Sequence, residues 1–103
     1  MEFKELIKKA KEVREKYRKI EEKPWGVAEH TQGLVGDVGE LAKLVMAKNG
    51  FRKIEGVDGK LAHELSDCLW AILIIADELG IDLESEFMKQ MGELEEKIDQ
   101  KSK

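Results

Sequence analysis

Residues 33–83 read GLVGDVGELAKLVMAKNGFRKIEGVDGKLAHELSDCLWAILIIADELGIDL, and this stretch decides the fold. Its first part repeats apolar side chains at helical spacing, Leu34, Val38, Leu41 and Val45, and stops at Asn49-Gly50. The spacing predicts a helix from about residue 28 to residue 48. Residues 49–59 carry three glycines and read as a loop. Asp58 is the expected N-cap of a further helix, Leu61 to Leu79, closed by Gly80. Within it CLWAILIIA, residues 68–76, is apolar all round, so this helix is expected to be buried on more than one side.

Working outward, Phe3, Leu6, Ile7, Ala10, Val13, Tyr17 and Ile20 set the apolar face of an amphipathic helix over residues 3–20. Glu5–Lys9, Glu12–Lys16 and Glu15–Lys19 are spaced four apart in the favourable order, which marks the opposite face as solvated. Pro24 interrupts the pattern and suits the first turn of the next helix. Beyond Gly80, Asp82 is the expected cap of a fourth helix with Leu83, Phe87, Met91, Leu94 and Ile98 on its apolar face, and residues 99–103 are an expected frayed tail. The reading is all-α: residues 1–103 as one domain, an antiparallel four-helix bundle with an amphipathic N-terminal segment over 1–23. A chain of 103 residues buries a modest core. Covering the apolar third helix therefore calls for a second copy, and a homodimer is expected.

Charge narrows the partners. Residues 1–23 hold nine Lys/Arg against six acids, whereas residues 24–103 hold nine against sixteen. No basic stripe runs through the body, so duplex nucleic acid is not an expected partner. An acidic body can still bind an anion if a metal bridges the two. The longest apolar run is far below the roughly 20 residues that span a bilayer, and MEFKELIKKAKEV has no signal-peptide core. The lone Cys68 permits no intrachain disulfide. A cytoplasmic protein without a membrane partner is expected.

Two acid pairs carry the chemistry. Asp37 and Glu40 stand three apart on the second helix, and Glu64 and Asp67 three apart on the third, so each pair shares a helix face. The spacing is common in this chain: Glu2/Glu5, Glu12/Glu15 and Glu93/Glu96 have it too. Setting distinguishes the chosen pairs, which are flanked by Leu34, Val38, Leu41, Leu61, Leu65 and Leu69. Carboxylates gathered at an apolar core repel one another and lose hydration. A hard divalent cation compensates both. No histidine stands three residues after Glu40 or Glu64, which disfavours a di-iron site and favours Mg²⁺, with Mn²⁺ as a substitute. The competing reading is a polar seam in which Lys43 or Lys48 neutralises the acids.

These two blocks, residues 33–50 and 63–83, resemble the MazG-like all-α nucleoside triphosphate pyrophosphohydrolases, whose pattern is a Glu-x-x-Glu pair on one helix and Glu-x-x-Asp on the next. The resemblance covers about residues 25–98. It implies hydrolysis of (deoxy)nucleoside triphosphates to monophosphate and pyrophosphate, Mg²⁺ held by Asp37, Glu40, Glu64 and Asp67, and a dimer or tetramer. It implies catalytic roles for Glu40 and Glu64, with Glu40 the candidate proton acceptor. Asp37 departs from the more usual glutamate by one methylene, which implies contact through water or a shifted ion. Relatives often place an asparagine four residues after a fourth-helix lysine; here Lys89 is followed by Glu93. Two alternatives stay open: a phosphoribosyl-ATP pyrophosphohydrolase, and a non-catalytic helical dimerisation or regulatory module.

Other residues read two ways. Trp25 is a candidate to stack on a nucleobase or to fill an interface. Lys48 and Lys89 are candidate phosphate ligands, and Arg52 and Lys53 sit in a loop that either closes over substrate or merely connects. Gly33, Gly36 and Gly39 leave room for close helix packing or for ligand. Trp70 and Cys68 read as core, and His30 and His63 as ordinary polar positions.

Overall fold

The computed structural model describes residues 1–102 and is all-helical, with no strand among them. Four helices follow in order: α1 (Phe3–Ile20), α2 (Val27–Lys48), α3 (Val57–Glu78) and α4 (Leu83–Lys101). Helix α2 starts where the Gly26 N–H donates to Glu29 Oε1 at 2.8 Å, and α4 where Asp82 accepts from the Ser85 N–H at 3.2 Å. Gly50 and Gly80 end α2 and α3 with φ of 86° and 69°, the left-handed region that L side chains avoid. Two boundaries depart from the sequence reading. Helix α3 begins at Val57, not Leu61, because Gly56 takes the N-cap position with φ 66°. Asp58 therefore lies inside the first turn, where its carboxylate favours the helix N-terminus and pairs with Lys48. Helix α4 runs to Lys101, past the expected end, and Ser102 returns its hydroxyl to the Ile98 carbonyl at 2.9 Å; Lys103 lies outside the described residues.

Helices α2 and α3 form an antiparallel hairpin. Lys48 meets Asp58 at one end, Asp37 meets Glu64 and Asp67 midway, and His30 meets Trp70 near the other end. Helix α1 lies across α3, where Ala10, Leu73 and Ile74 form the core and Phe3, Ile7, Trp70 and Leu83 pack around it. Ile74 is fully buried, and truncating such a side chain to alanine typically costs about 3 kcal/mol. Polar groups lock the same crossing. Trp70 Nε1 donates to the Ala10 carbonyl at 3.1 Å, the buried Arg14 reaches Asp77 at 2.7 Å, and Arg18 reaches Glu78 at 2.6 Å.

Helix α4 has no buried residue and meets the core through Leu83 at its start. The chain is correspondingly extended, with a radius of gyration of 16.9 Å against about 13 Å for a compact domain of 100 residues. Helix α3 buries Cys68, Ala71, Leu73, Ile74 and Ala76, yet leaves Leu65, Leu69, Ile72 and Leu79 exposed on its other side. No helix of the described residues is long and apolar enough to cross a membrane.

Candidate functional site

Three of the four expected acids converge. Asp37 comes from the middle of α2, and Glu64 and Asp67 from adjoining turns of α3; one carboxylate oxygen of each lies within 4.8 Å of the others. The antiparallel hairpin produces this, because it sets the midpoints of α2 and α3 opposite each other. Asp37 reaches the other two acids despite its short side chain. All three are half-buried.

The cluster is electrostatically strained. Glu64 Oε2 is shut off from solvent and has no hydrogen-bond partner among the described residues. Burial, followed by the charges of Asp37 and Asp67, holds the Glu64 carboxyl above its ordinary pKa; His63 works the other way. His63 also reaches Asp67 through Nε2 at 3.1 Å. Cys68 lies buried beside the acids, and its thiol is pushed up by burial and then by the same three charges. A buried carboxylate oxygen without a donor is what a hard cation with oxygen ligands satisfies. The residues present thus fit a divalent ion.

Glu40 stands apart from the triad. It is exposed and pairs with Lys43 at 3.2 Å, so the competing seam describes this acid and not the other three. Its charge still contributes to the raised pKa of Glu64, which keeps it in electrostatic reach of the cluster.

A cleft of about 560 Å³ opens beside the triad, with Asp37 and Asp67 in its wall. Trp25, His30 and Gly33 come from the start of α2 and the segment before it, Ser66, Trp70 and Ala71 from α3, and Val13, Arg14, Tyr17 and Arg18 from α1. The aromatic groups form one connected wall. His30 meets Trp25 and Trp70 edge-on, with ring centroids 5.4 Å away in each case, and Tyr17 stands 6.0 Å from Trp70. Gly33 has a specific reason to lack a side chain: a Cβ there would lie 3.0 Å from the Trp25 ring. At Gly36 and Gly39 a Cβ would meet nothing within 4 Å, so neither helix packing nor a close neighbour in this chain requires those two glycines.

Trp25 thus joins the acids, but the two lysines expected at the phosphates do not. Lys48 sits at the far end of the hairpin in a 2.6 Å pair with Asp58, and Lys89 is exposed on α4; neither lines the cleft. Arg52 and Lys53 are also exposed and away from it. The sequence reading passed over His30, Tyr17, Arg14 and Arg18. The signal for His30 was present: His30, Gly33 and Asp37 fall on one face of α2 at helical spacing. Comparisons with known families, curated proteins and solved structures found no match to this chain.

Proposed function

We propose that this chain is a nucleoside triphosphate pyrophosphohydrolase that works as a homodimer or homotetramer and cleaves between the α and β phosphates. One observation carries the reading: an acid triad with a buried, unpartnered Glu64 oxygen adjoins a cleft walled by tryptophan, tyrosine and histidine. The resemblance of residues 33–50 and 63–83 to the MazG-like enzymes supplies the substrate class.

In this reading Asp37, Glu64 and Asp67 would hold Mg²⁺, or Mn²⁺ in its place, and such an ion would supply neutralisation of phosphate charge and a lowered pKa for water at the site. The water oxygen attacks the α-phosphorus, the bond from that phosphorus to the bridging oxygen breaks, and pyrophosphate leaves. Glu40, exposed and one turn from Asp37, takes the water's proton after releasing Lys43. Trp25 and Trp70 offer ring faces on which a base stacks.

The deciding assay incubates the chain with Mg²⁺ and a panel of nucleoside triphosphates, deoxynucleoside triphosphates and phosphoribosyl-ATP, and measures monophosphate and pyrophosphate. Pyrophosphate and monophosphate in equal amounts are expected. Release of orthophosphate alone places cleavage at the wrong bond, and turnover that survives Glu64→Gln removes the triad from the mechanism.

A further inference from the structure

His30 is the buried polar group that the fold leaves unexplained. Its side chain is 5% exposed, and neither Nδ1 nor Nε2 has a hydrogen-bond partner among the described residues. Buried polar atoms are almost always paired, and two unpaired nitrogens on one ring are a rare exception. Burial also lowers the pKa of the imidazole, so at neutral pH the ring is uncharged and offers one donor and one acceptor. Contacts between its edge and the two indoles are weak substitutes for true partners.

The ring lies in the wall of the aromatic cleft, on the same face of α2 as Asp37. Its two aromatic neighbours differ in freedom. Trp70 is fixed, since its indole N–H is bonded to the Ala10 carbonyl. Trp25 precedes α2, is 43% exposed and rests over Gly33. Movement of Trp25 off this bed would expose the imidazole between the two indoles it now touches, where a planar heteroaromatic ring could stack on an indole face and turn its polar edge to the histidine.

We propose that His30 is the specificity-determining residue of this cleft, hydrogen-bonding the polar edge of a nucleobase that enters when Trp25 moves aside. The inference rests on the reading of the cleft as a nucleotide site, and it adds the group that tells one base from another. A site built around a hydrogen bond rejects ligands unable to make it, because its own polar atoms are then left unpaired.

The test measures binding separately from turnover. Four deoxynucleoside triphosphates made non-hydrolysable by an α,β-imido bridge are titrated with Mg²⁺ into three forms of the protein: the wild type, His30→Phe and His30→Gln. Binding is followed by calorimetry and by tryptophan fluorescence. The His30→Phe form keeps an aromatic ring and loses both orphaned nitrogens, so it is expected to melt at least as high as its parent. It is expected to bind the preferred nucleotide about 10- to 100-fold more weakly and to lose the ranking among bases, with His30→Gln restoring part of both. Unchanged affinity and ranking in His30→Phe overturns the role of His30. If the wild type turns over triphosphates in that case, the proposed function survives without it. A wild-type chain that neither binds nor hydrolyses any of the four overturns both.

Discussion

Asp37 on α2 and Glu64 on α3 bring carboxylate oxygens within 4.8 Å of each other, and the Glu64 oxygen that is shut off from solvent has no donor. The three acids therefore hold unfavourable charge between α2 and α3, and burial with the charges of Asp37 and Asp67 raises the pKa of Glu64. A group whose folded pKa exceeds its unfolded value stabilises the fold when protonated. That contribution is full below the unfolded pKa and lost as pH rises through the folded one. Glu64→Gln, which mimics the protonated form, is expected to raise the metal-free melting temperature at neutral pH. The same substitution is expected to remove stabilisation by Mg²⁺. For the wild type, metal at ten times its Kd contributes about 1.4 kcal/mol, or about 6 °C in Tm. Thermal melts of both forms, with and without Mg²⁺, check this; a variant that melts lower and still responds to the metal contradicts it.

The Arg14–Asp77 pair has the opposite sign. Its hydrogen bond to Arg14 holds the Asp77 carboxyl below its ordinary pKa, against the effect of burial. A depressed carboxylate pKa contributes stability that is present above the unfolded value and lost as pH falls through the folded one. Asp77→Asn leaves the guanidinium of the buried Arg14 short of its main partner and is expected to cost about 2 kcal/mol at pH 7. The difference from wild type should shrink below about pH 4, where the unfolded aspartate protonates. Urea denaturation at pH 7 and pH 3 measures it.

The helices were legible because their periodicity is strong and their ends are marked. Residues 3–20 and the stop at Asn49-Gly50 appear in the structure as the sequence reads. The start of α3 was misplaced because Asp58 is a good cap by type, whereas a left-handed Gly56 already fills that position. The acids were legible as two spaced pairs, but spacing does not reveal rotamers, and Glu40 turns to Lys43. The contribution of α1 to the cleft was hidden by its regular Glu–Lys pairs, which mark the solvated face and conceal the role of Arg14, Tyr17 and Arg18 on the other. His30 was read as an ordinary polar position, so its place among aromatic rings was missed.

Gly33 gives a prediction about the Trp25 wall of the cleft. A Cβ at this position would approach Trp25 Cζ3 to 3.0 Å, too close for the indole to stay where it is. Replacement by alanine removes the conformational penalty of a mid-helix glycine, worth about 1 kcal/mol. Gly33→Ala is therefore expected to leave overall stability unchanged or slightly raised while displacing Trp25. The indole must give by a few tenths of an ångström, so its emission should change in position or intensity. An emission spectrum identical to wild type, recorded in a Trp70→Phe background so that only Trp25 reports, rules out the displacement.

The exposed surface sets the last prediction. The chain has 8167 Å² of accessible surface, whereas a compact monomer of its mass has about 5,900 Å². The excess is roughly 2,200 Å² per chain, within the range buried by each partner in permanent assemblies. Large apolar side chains are exposed on three helices: Leu65, Leu69 and Ile72 on one side of α3, Val35, Val38 and Val45 along α2, and Phe87, Leu94 and Ile98 along α4. Patches of this extent on a lone chain of this size are unusual. A second copy would supply an apolar cover if the two stripes met across a two-fold axis. Sedimentation at micromolar concentration should give the mass of two or more chains. Ile72 is 41% exposed in the single chain, so an aspartate there costs a monomer about 1 kcal/mol as well, and the sedimenting mass is the readout that decides. In an assembly the same charge is buried without a partner. Ile72→Asp is expected to lower both the sedimenting mass and the melting temperature, and a wild-type chain that sediments as a monomer, its mass unchanged in the variant, excludes the assembly.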